Sequence, residues 1–463
     1  MLIVALALFS FIFLGTEYLF DDMIAFFTNS SGVVMAQNEV LGASVLGFVL
    51  YSFIDKAIVD AKGRKITAIV ISAISCLLVF LISMHKGFML ILIPGVGIFV
   101  LLGIMGSAIC FHLSRMITDK GFLARLVGIS YALGVLLQFI NNNLVKKASM
   151  QAIVIVICII ILAFIMQKFN FEESEEISEQ ENVSIDDKKA TIAAIFLVIC
   201  VALMTVIFST LDVAVTLVHA SGDFNIGQWP RLLLALSGLA AGFLFDIKSR
   251  KYMSAMMYVV TILATLSIVV IQFGGPFIIG LVIFYMSAGF FVVYFTTAFM
   301  DISFKVKNPK LWAGMGRATN NFCAFIVSAV SVALISSGSQ LAVIITALIL
   351  FALINVALMI YSQFDKASDC KIRDDEKEEP EVKLISEEEK FAIFVEKYSL
   401  TERESEVLKA LIESDDNVQN IARQLGFSRT ALYRHISNIN KKTETSSRLG
   451  IIQFYNNSLF NGK

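Results

Sequence analysis

The sequence is poor in charged residues for its length. Only 16% of its 463 residues are Asp, Glu, Lys or Arg, whereas a soluble globular domain carries about 25%. The deficit is uneven, because residues 1–168 and 190–362 are nearly continuous apolar runs while 169–189 and 365–463 are rich in charge. This pattern excludes a single soluble domain and favours two membrane halves followed by a soluble tail.

Sequence motifs for metal, cofactor or covalent chemistry are also missing. The six cysteines are scattered, five of them lie in apolar runs, and no two form a CxxC pair. We therefore predict neither a metal site nor a disulfide framework, and expect the cysteines to be small buried hydrophobic residues. The chain shows no nucleotide-binding loop and no segment like a kinase or a phospho-acceptor. We predict no cofactor and no enzymatic activity.

The first apolar segment, Leu2–Phe20, resembles a signal peptide only in its position. It is too long for a signal-peptide core, and it lacks a basic n-region and a small-residue cleavage site. We therefore predict that it is a membrane span.

Twelve apolar segments are long enough to cross a membrane, since a spanning helix needs about 20 mostly apolar residues. They are residues 2–20, 39–58, 66–84, 88–111, 122–144, 149–167, 191–216, 228–246, 252–273, 276–300, 313–336 and 339–361. The predicted fold class is therefore all-α, with a polytopic bundle of twelve helices in a lipid bilayer.

The basic residues of the loops are distributed unequally between the two sides of this bundle. About sixteen Lys and Arg residues would lie on one side, and about four on the other: Lys86, Lys146, Lys147 and Arg231. Because cytoplasmic loops carry the excess of Lys and Arg, we predict a multi-pass protein of the inner (cytoplasmic) membrane with both termini in the cytoplasm.

Two loops repeat the same spacing of an acid and a base. Asp60 and Arg64 follow the second predicted span, and Asp246 and Arg250 follow the eighth. The two aspartates are 186 positions apart, which supports a repeat of six spans plus six.

Both loops resemble the GxxxDxxGR[RK] signature of the major facilitator superfamily. Lys56 replaces the leading Gly in the first copy, and Ser249 replaces the later Gly in the second. The resemblance implies a facilitator-like fold, in which the acids and bases of these loops hold the cytoplasmic ends of the two halves together.

Polar side chains inside the predicted spans are candidates for a small-molecule site, because burying them is costly. Transporter folds place such sites at the repeat interface, and the main candidates are Glu17, Asp21, Asp212, His219, Arg317 and Asn320. Further candidates are Asp22, His112, Arg115, Gln138 and Asn141–Asn143, with Tyr285, Phe290 and Tyr294 as lining residues. Each could instead be a helix end touching water or a satisfied interhelical hydrogen bond.

The charge-rich segments divide the chain into five parts. They are membrane half 1 (1–168), an acidic cytoplasmic linker (169–190), membrane half 2 (191–362), a charged linker (363–397) and a tail domain (398–463). Within the charged linker, Ser386-Glu387-Glu388-Glu389 has a capping-box pattern, which predicts a short amphipathic helix. That helix would pack on the tail domain, form a dimer contact or dock onto the membrane half.

The tail has the pattern of a four-helix domain with a helix-turn-helix. Thr401 and Glu404 form a capping-box pair, Gly426 permits a tight turn, and Ser428 is placed to cap a third helix. Between Arg429 and Arg448 there are five basic residues and one acid. This charge asymmetry is typical of a surface that binds nucleic-acid phosphates.

Over residues 398–455 the tail resembles the LuxR-type (NarL/FixJ-type) helix-turn-helix. The matching residues include Leu400-Thr401-x-Arg403-Glu404, Ile421-Ala422-x-x-Leu425-Gly426 and His435-x-Ser437-Asn438-Ile439. The usual Thr-Val-Lys before Arg-His is replaced by Ala431-Leu432-Tyr433. The resemblance implies binding to a double-stranded DNA operator, usually as a homodimer formed through this domain. It assigns DNA contacts to Arg429, Thr430, Tyr433, Arg434, Asn438 and Lys441.

The combination predicts a membrane-bound one-component transcription regulator, whose membrane domain senses a small molecule or the state of the membrane. One alternative is a secondary transporter whose DNA-binding tail reports or regulates flux. A second alternative is a membrane scaffold with a degenerate tail.

Overall fold

The structure is a computed structural model. It describes residues 1–58, 60–84, 86–117, 120–168, 188–220, 229–248, 250–273, 276–336, 340–378, 387–413, 418–443, 445 and 447–460. The chain divides into two compact units, Met1–Lys371 and Ile372–Lys463. The acidic linker predicted at 169–190 falls almost entirely outside the described residues.

The membrane unit is built from α-helices. They are α1 (Leu2–Ile24), α2 (Ser30–Ala57), α3 (Ala61–Ser83), α4 (Phe88–Met116), α5 (Leu123–Leu144), α6 (Ala148–Met166), α7 (Lys188–Ala220), α8 (Trp229–Phe245), α9 (Met253–Gln272), α10 (Phe277–Ile302), the short α11 (Pro309–Trp312), α12 (Met315–Ser336) and α13 (Gln340–Glu378). Each of the twelve predicted spans overlaps one of these helices, and the prediction of an all-α membrane bundle is confirmed. Nine helices of the described stretches are long and apolar enough to cross a membrane.

Two helices extend furthest beyond the predicted spans. α2 begins at Ser30, where the Asn29 side chain accepts a hydrogen bond from the Gly32 N–H at 2.8 Å. Hydropathy placed its start at residue 39, because Gln37 and Asn38 are polar even though both are buried. α13 continues to Glu378, since a helix that leaves the apolar layer needs no further apolar residues to keep its backbone hydrogen bonds.

The two halves of the membrane unit approach each other most closely where α5 meets α8. A Cβ added to Gly128 would lie 2.7 Å from both the Gly238 carbonyl oxygen and the Gly242 Cα. Only small residues allow two helix backbones to come this close, as at many helix contacts in membranes. Large apolar side chains such as Leu46, Ile93 and Phe164 remain exposed on the outside of the bundle, where lipid would cover them.

The C-terminal unit contains five helices among its described residues after residue 386. They are α14 (Glu387–Lys397), α15 (Glu402–Glu413), α16 (Val418–Gln424), α17 (Arg429–Thr443) and α18 (Arg448–Phe460). Their apolar faces form a separate core that includes Val407, Leu408, Ile421, Leu432, Ile439 and Ile451. The predicted four-helix tail, α15–α18, is therefore confirmed.

The short helix predicted in the charged linker is α14, and it packs on the tail domain. Phe394 is buried, and its ring lies 5.1 Å from Tyr455 and 6.3 Å from Phe454, both on α18. The structure thus shows the first of the three arrangements considered for this helix.

Candidate functional site

A cavity of about 340 Å³ lies inside the membrane unit, among α1, α2, α5, α7, α8, α10 and α12. Five of the six predicted ligand residues line it: Glu17, Asp21, Asp212, Arg317 and Asn320. The sixth, His219, lies near the end of α7, and its side chain is outside the described residues. The structure therefore brings together residues that are up to 303 positions apart in the sequence. That they bind a ligand stays a prediction.

The polar wall of the cavity is fixed by hydrogen bonds between helices of both halves. Gln37 on α2 donates to the Glu17 carboxylate at 2.7 Å. Asn320 on α12 donates to Asn321 at 3.1 Å and accepts from Thr205 on α7 at 3.3 Å. Asn321 in turn donates to the Ser44 hydroxyl on α2 at 2.8 Å. This chain of amides ties α2, α7 and α12 together beside the cavity.

Two arginines line the same cavity, and only one of them, Arg317, is among the ligand residues predicted from the sequence. Arg317 lies between two aromatic rings, 5.2 Å from the centroid of Phe13 and 5.3 Å from that of Phe295. Arg231 also lines the cavity, although it was counted as a loop residue in the charge topology. That assignment was wrong, because α8 begins at Trp229 and already includes Arg231. The available signal was its position three residues inside the predicted span 228–246.

The charged groups of the cavity are not paired with one another at short range. Within the part of the chain that the structure describes, the ion pairs of the membrane unit all lie elsewhere. One oxygen of Asp21 and the Nε of Arg231 are buried without a hydrogen-bond partner in that part. Unpaired charges in a low-dielectric interior are costly, so this arrangement favours a site that receives a polar or charged ligand.

The other polar and aromatic candidates divide between lining and packing. Asp22 and Tyr285 line the cavity. Gln138 donates to the Leu14 carbonyl at 3.0 Å, and the Arg115 guanidinium lies 4.9 Å from the centre of the Phe304 ring. Tyr294 packs against Phe245. The remaining candidates are not among the lining residues: His112, Asn141–Asn143 and Phe290.

The second copy of the loop motif joins the two halves directly. Asp246, which directly follows α8, accepts hydrogen bonds from the backbone N–H groups of Ala124 (3.1 Å) and Arg125 (2.7 Å). These groups lie at the start of α5, where a helix N-terminus favours an anion. Arg250 lies 3.7 Å from Asp246 and 2.8 Å from Asp301. This loop has the geometry that the facilitator signature implies.

The first copy of the motif is arranged differently. Asp60 is exposed and only caps α3, accepting from the Lys62 N–H at 3.3 Å. Arg64 is paired instead with Asp55 at 3.3 Å, and Asp55 also pairs with Lys310 of the other half. The acid that links the halves here is therefore Asp55, which the motif spacing did not indicate. Its signal was an acid inside an apolar span, three residues before the predicted end.

The links between the halves and the cavity lie at opposite ends of the membrane unit. Asp55 and Asp246 lie at the ends of α2 and α8, whereas the cavity reaches Asp22 and Ala25 at the end of α1 and Val33 near the start of α2. The halves are thus held together at one end, and the cavity lies towards the other.

The tail begins with the predicted capping box. The Glu404 carboxylate accepts from the Thr401 N–H at 2.9 Å, and the Thr401 hydroxyl accepts from the Glu404 N–H at 3.4 Å. Lys442 on α17 donates to Glu404 at 2.6 Å and to the Ser399 carbonyl at 2.8 Å. Burial alone would raise the pKa of Glu404, but the hydrogen bonds from Lys442 and Thr401 hold that pKa below its usual value.

The turn between α16 and α17 requires the predicted glycine. Gly426 adopts a φ of +68°, in the left-handed region that side chains with a Cβ rarely enter. Ser428 then caps α17, since its hydroxyl accepts from the Ala431 N–H at 3.2 Å. Leu432, Ile436 and Ile439 face the core, so the rotation of α17 about its axis is fixed.

That rotation leaves the predicted DNA-contacting residues on the outer face of α17. Asn438 is partly buried. The other five are exposed: Arg429, Thr430, Tyr433, Arg434 and Lys441. The Arg429 guanidinium lies over the Tyr433 ring at 5.9 Å. A capped helix with a basic, exposed face after a glycine turn is the recognition helix of a helix-turn-helix.

The membrane unit has the architecture of a facilitator-type protein, with two halves around a central cavity, and solved structures show the same fold. The E. coli fucose:proton symporter FucP, in a single-substitution variant, matches with a TM-score of 0.50 and 14% identity, over 78% of this chain and 97% of that chain. FucP in the outward conformation matches with a TM-score of 0.51 and 14% identity, over 78% and 98%. The human organic anion transporter MFSD10 (TETRAN) matches with a TM-score of 0.51 and 12% identity, over 78% and 97%.

The tail is identified by its sequence. Residues 398–455 match the family model GerE, described as bacterial regulatory proteins, luxR family. A search of curated protein sequences found no significant match. The protein is therefore a polytopic membrane protein with a major-facilitator-like fold, fused to a LuxR-type DNA-binding domain of the kind found in transcription regulators.

Proposed function

We propose that the protein is a membrane-bound one-component transcription regulator. Its facilitator-like unit binds a small molecule in the central cavity, and binding controls the LuxR-type domain. The observation that carries this proposal is the presence, in one chain, of a DNA-binding domain and a membrane unit whose cavity holds unpaired charged side chains. No separate kinase is needed if the sensor and the DNA reader are covalently joined.

The DNA-binding step is supported by the surface of α17. Its exposed basic residues, Arg429, Arg434 and Lys441, are suited to phosphate and base contacts in the major groove. Dimerisation through the tail on two half-sites follows from the usual behaviour of such domains. If both termini lie on the cytoplasmic side of the inner (cytoplasmic) membrane, the tail is on the same side as the chromosomal DNA.

The sensing step is supported by the two ends of the membrane unit. A ligand shifts a conformational equilibrium only by its difference in affinity for the two states. A ligand that fills the cavity would favour one arrangement of the two halves. The links through Asp55 and Asp246 would have to hold or break as the halves change their arrangement. The result would be an altered placement, dimerisation or release of the tail.

Two variants of the tail test this function in cells and in vitro. Arg434→Ala should abolish regulation of the target promoter in a transcription reporter and weaken a salt-sensitive DNA mobility shift. Lys409→Ala, an exposed base on α15 outside the recognition face, should leave both unchanged. A purified protein with no sequence-dependent DNA binding would overturn the proposal, and an unchanged reporter with Arg434→Ala would favour the scaffold alternative.

A secondary transporter with a regulatory tail is the second candidate function. It is favoured by the carboxylates of Glu17, Asp21 and Asp212, which line the cavity, because proton-coupled transport needs membrane-embedded acids. Uptake of a radiolabelled substrate into vesicles, lost in Asp212→Asn, would support transport. Binding without uptake would leave the sensor as the better description.

A further inference from the structure

Four carboxylates line the same cavity. Glu17, Asp21 and Asp22 come from α1, and Asp212 comes from α7. Asp21 is within electrostatic range of the other three, and like charges in a low-dielectric interior repel strongly. We refer to these four side chains as the acid cluster. The cavity also holds Arg231 and Arg317, so four carboxylates face two guanidinium groups, and a positive group of a ligand would balance the remaining negative charge.

A second polar cluster lies beside the first. Arg231 is within electrostatic range of Tyr131 and Tyr285, and also of Glu17 and Asp212. Tyr131 is 4% exposed and Tyr285 is 3% exposed, and both line the cavity. The Nε of Arg231 lacks a hydrogen-bond partner among the described residues. This basic cluster, Arg231 with the two tyrosines, offers donors to an anion.

We propose that the cavity binds a small α-amino-acid-like zwitterion, with its ammonium at the acid cluster and its carboxylate at the basic cluster. The inference rests on the proposed function, in which this cavity is the ligand site. Because Arg231 is close to Glu17 and Asp212 as well as to the tyrosines, the two ligand charges must be adjacent, as they are in an α-amino acid. A volume of about 340 Å³ accommodates such a molecule.

The rest of the cavity fits the side chain of such a ligand. Phe208 and Phe291 are stacked with their ring centres 4.5 Å apart, and both line the cavity together with Phe284. These rings give an apolar or aromatic side chain a surface to bury. A metal ion is a poorer occupant, because no group of His, Cys, Asp and Glu in the described residues is arranged to hold one.

Calorimetry on the full-length protein in nanodiscs tests the ligand class. The twenty L-amino acids are titrated singly. For each one that binds, the matching amine without the carboxylate and the matching acid without the ammonium are titrated as well. The two-cluster arrangement predicts that each analogue binds at least about 30-fold more weakly than the amino acid, the lower bound for losing one partner of a buried charge pair.

Cavity variants then assign the charges. Arg231→Gln should weaken binding of the amino acid at least about 30-fold and should not weaken binding of the amine. Asp212→Asn should weaken binding of the amino acid similarly and should not weaken binding of the acid analogue. Glu39→Gln is the matched control, since Glu39 is an exposed acid of α2 that does not line the cavity. Tyr285→Phe, which removes one hydroxyl, provides a milder variant, and thermal unfolding without ligand confirms that each variant is folded.

The outcomes separate this inference from the proposed function. Failure of every amino acid to bind, or amine analogues that bind as tightly as the amino acids, would overturn the zwitterion. A transcription reporter that responds to a compound without an ammonium group would overturn it too, while leaving the regulator intact. Binding of an amino acid with no change in transcription would instead refute the regulator and leave the ligand class standing.

Discussion

The pair formed by Glu404 and Lys442 should be the polar interaction on which the stability of the tail depends most. The Glu404 side chain is only 5% exposed, and the Lys442 side chain is 33% exposed. Glu404 accepts from Lys442 and from the Thr401 N–H, so it joins α17 to the start of α15. Glu404→Gln removes the charge while it keeps the size of the side chain.

The expected cost follows from these contacts. A hydrogen bond to a charged group contributes about 1.5–3 kcal/mol, and Gln can still accept one of the two bonds. Lys442 is partly exposed, so water recovers part of its solvation when its partner is lost. We therefore expect Glu404→Gln to lower the free energy of unfolding by about 2 kcal/mol, within the range for disrupting a hydrogen-bonded pair.

The matched control is a second carboxylate on the same helix. Glu406 pairs with Arg403 at 2.9 Å, but the two side chains are 41% and 65% exposed. An exposed pair of this kind contributes less than about 1 kcal/mol. Urea unfolding of residues 372–463, followed by far-UV circular dichroism, should separate the two variants clearly. Equal destabilisation by Glu404→Gln and Glu406→Gln would show that burial of Glu404 does not set its contribution.

The same pair gives the tail a defined dependence on pH. The folded-state pKa of Glu404 is held below its usual value of 4.5. Its contribution to stability is therefore fully present above pH 4.5 and is lost as the pH falls through the folded-state pKa. The wild-type domain should lose stability with acid in this window more steeply than Glu404→Gln. Parallel curves for the two proteins would contradict the assignment.

Three further predictions test the DNA surface and the joint between the membrane halves. Arg434→Ala should weaken operator binding by about 1–3 kcal/mol and reduce the slope of log affinity against log salt concentration by about one. Fluorescence anisotropy over a salt series measures both. An unchanged slope would show that Arg434 does not contact a phosphate. Asp55→Asn should destabilise the detergent-solubilised protein by about 3 kcal/mol, because it removes the buried carboxylate that pairs with both Arg64 and Lys310. Asp60→Asn should be neutral in the same thermal unfolding assay. Gly242→Leu should lower the free energy of unfolding by about 1–3 kcal/mol through overpacking, because a Cβ at this position would lie 2.8 Å from the Ala124 carbonyl oxygen.

The sequence predicted the elements of the fold well because each depends on a local signal. Twelve apolar runs determine twelve helices. The capping box of Thr401 and Glu404 determines where α15 begins, and Gly426 with Ser428 determines where α17 begins. The start of α2 was missed for a physical reason. Gln37 and Asn38 lower the hydropathy of a segment that is buried against a polar cavity rather than against lipid.

The candidate site was predictable only in part. Glu17, Asp21 and Asp212 stand out as acids in apolar spans, and they do meet in one cavity. Arg231 was misassigned because charge topology treats a base near a span end as a loop residue, and hydropathy cannot tell a helix end in water from a helix end beside a cavity. Only the packing of α8 against α5 and α10 decides between these two environments.

The two loop motifs show why a repeated sequence pattern need not give repeated contacts. Asp246 and Asp60 have the same spacing to a following arginine, yet only Asp246 caps a helix of the opposite half. In the first loop, Lys310 lies within reach of Asp55 and brings that acid into the joint instead. A base on the opposite half therefore indicates which acid links the two halves better than the position of that acid in the motif does. On the proposed function this asymmetry has a consequence: the two joints are held by different chemistry, a helix N-terminus at one and a lysine at the other. A ligand-driven separation of the halves would then break them unequally, and Asp55→Asn and Asp246→Asn should differ in their effect on transcription.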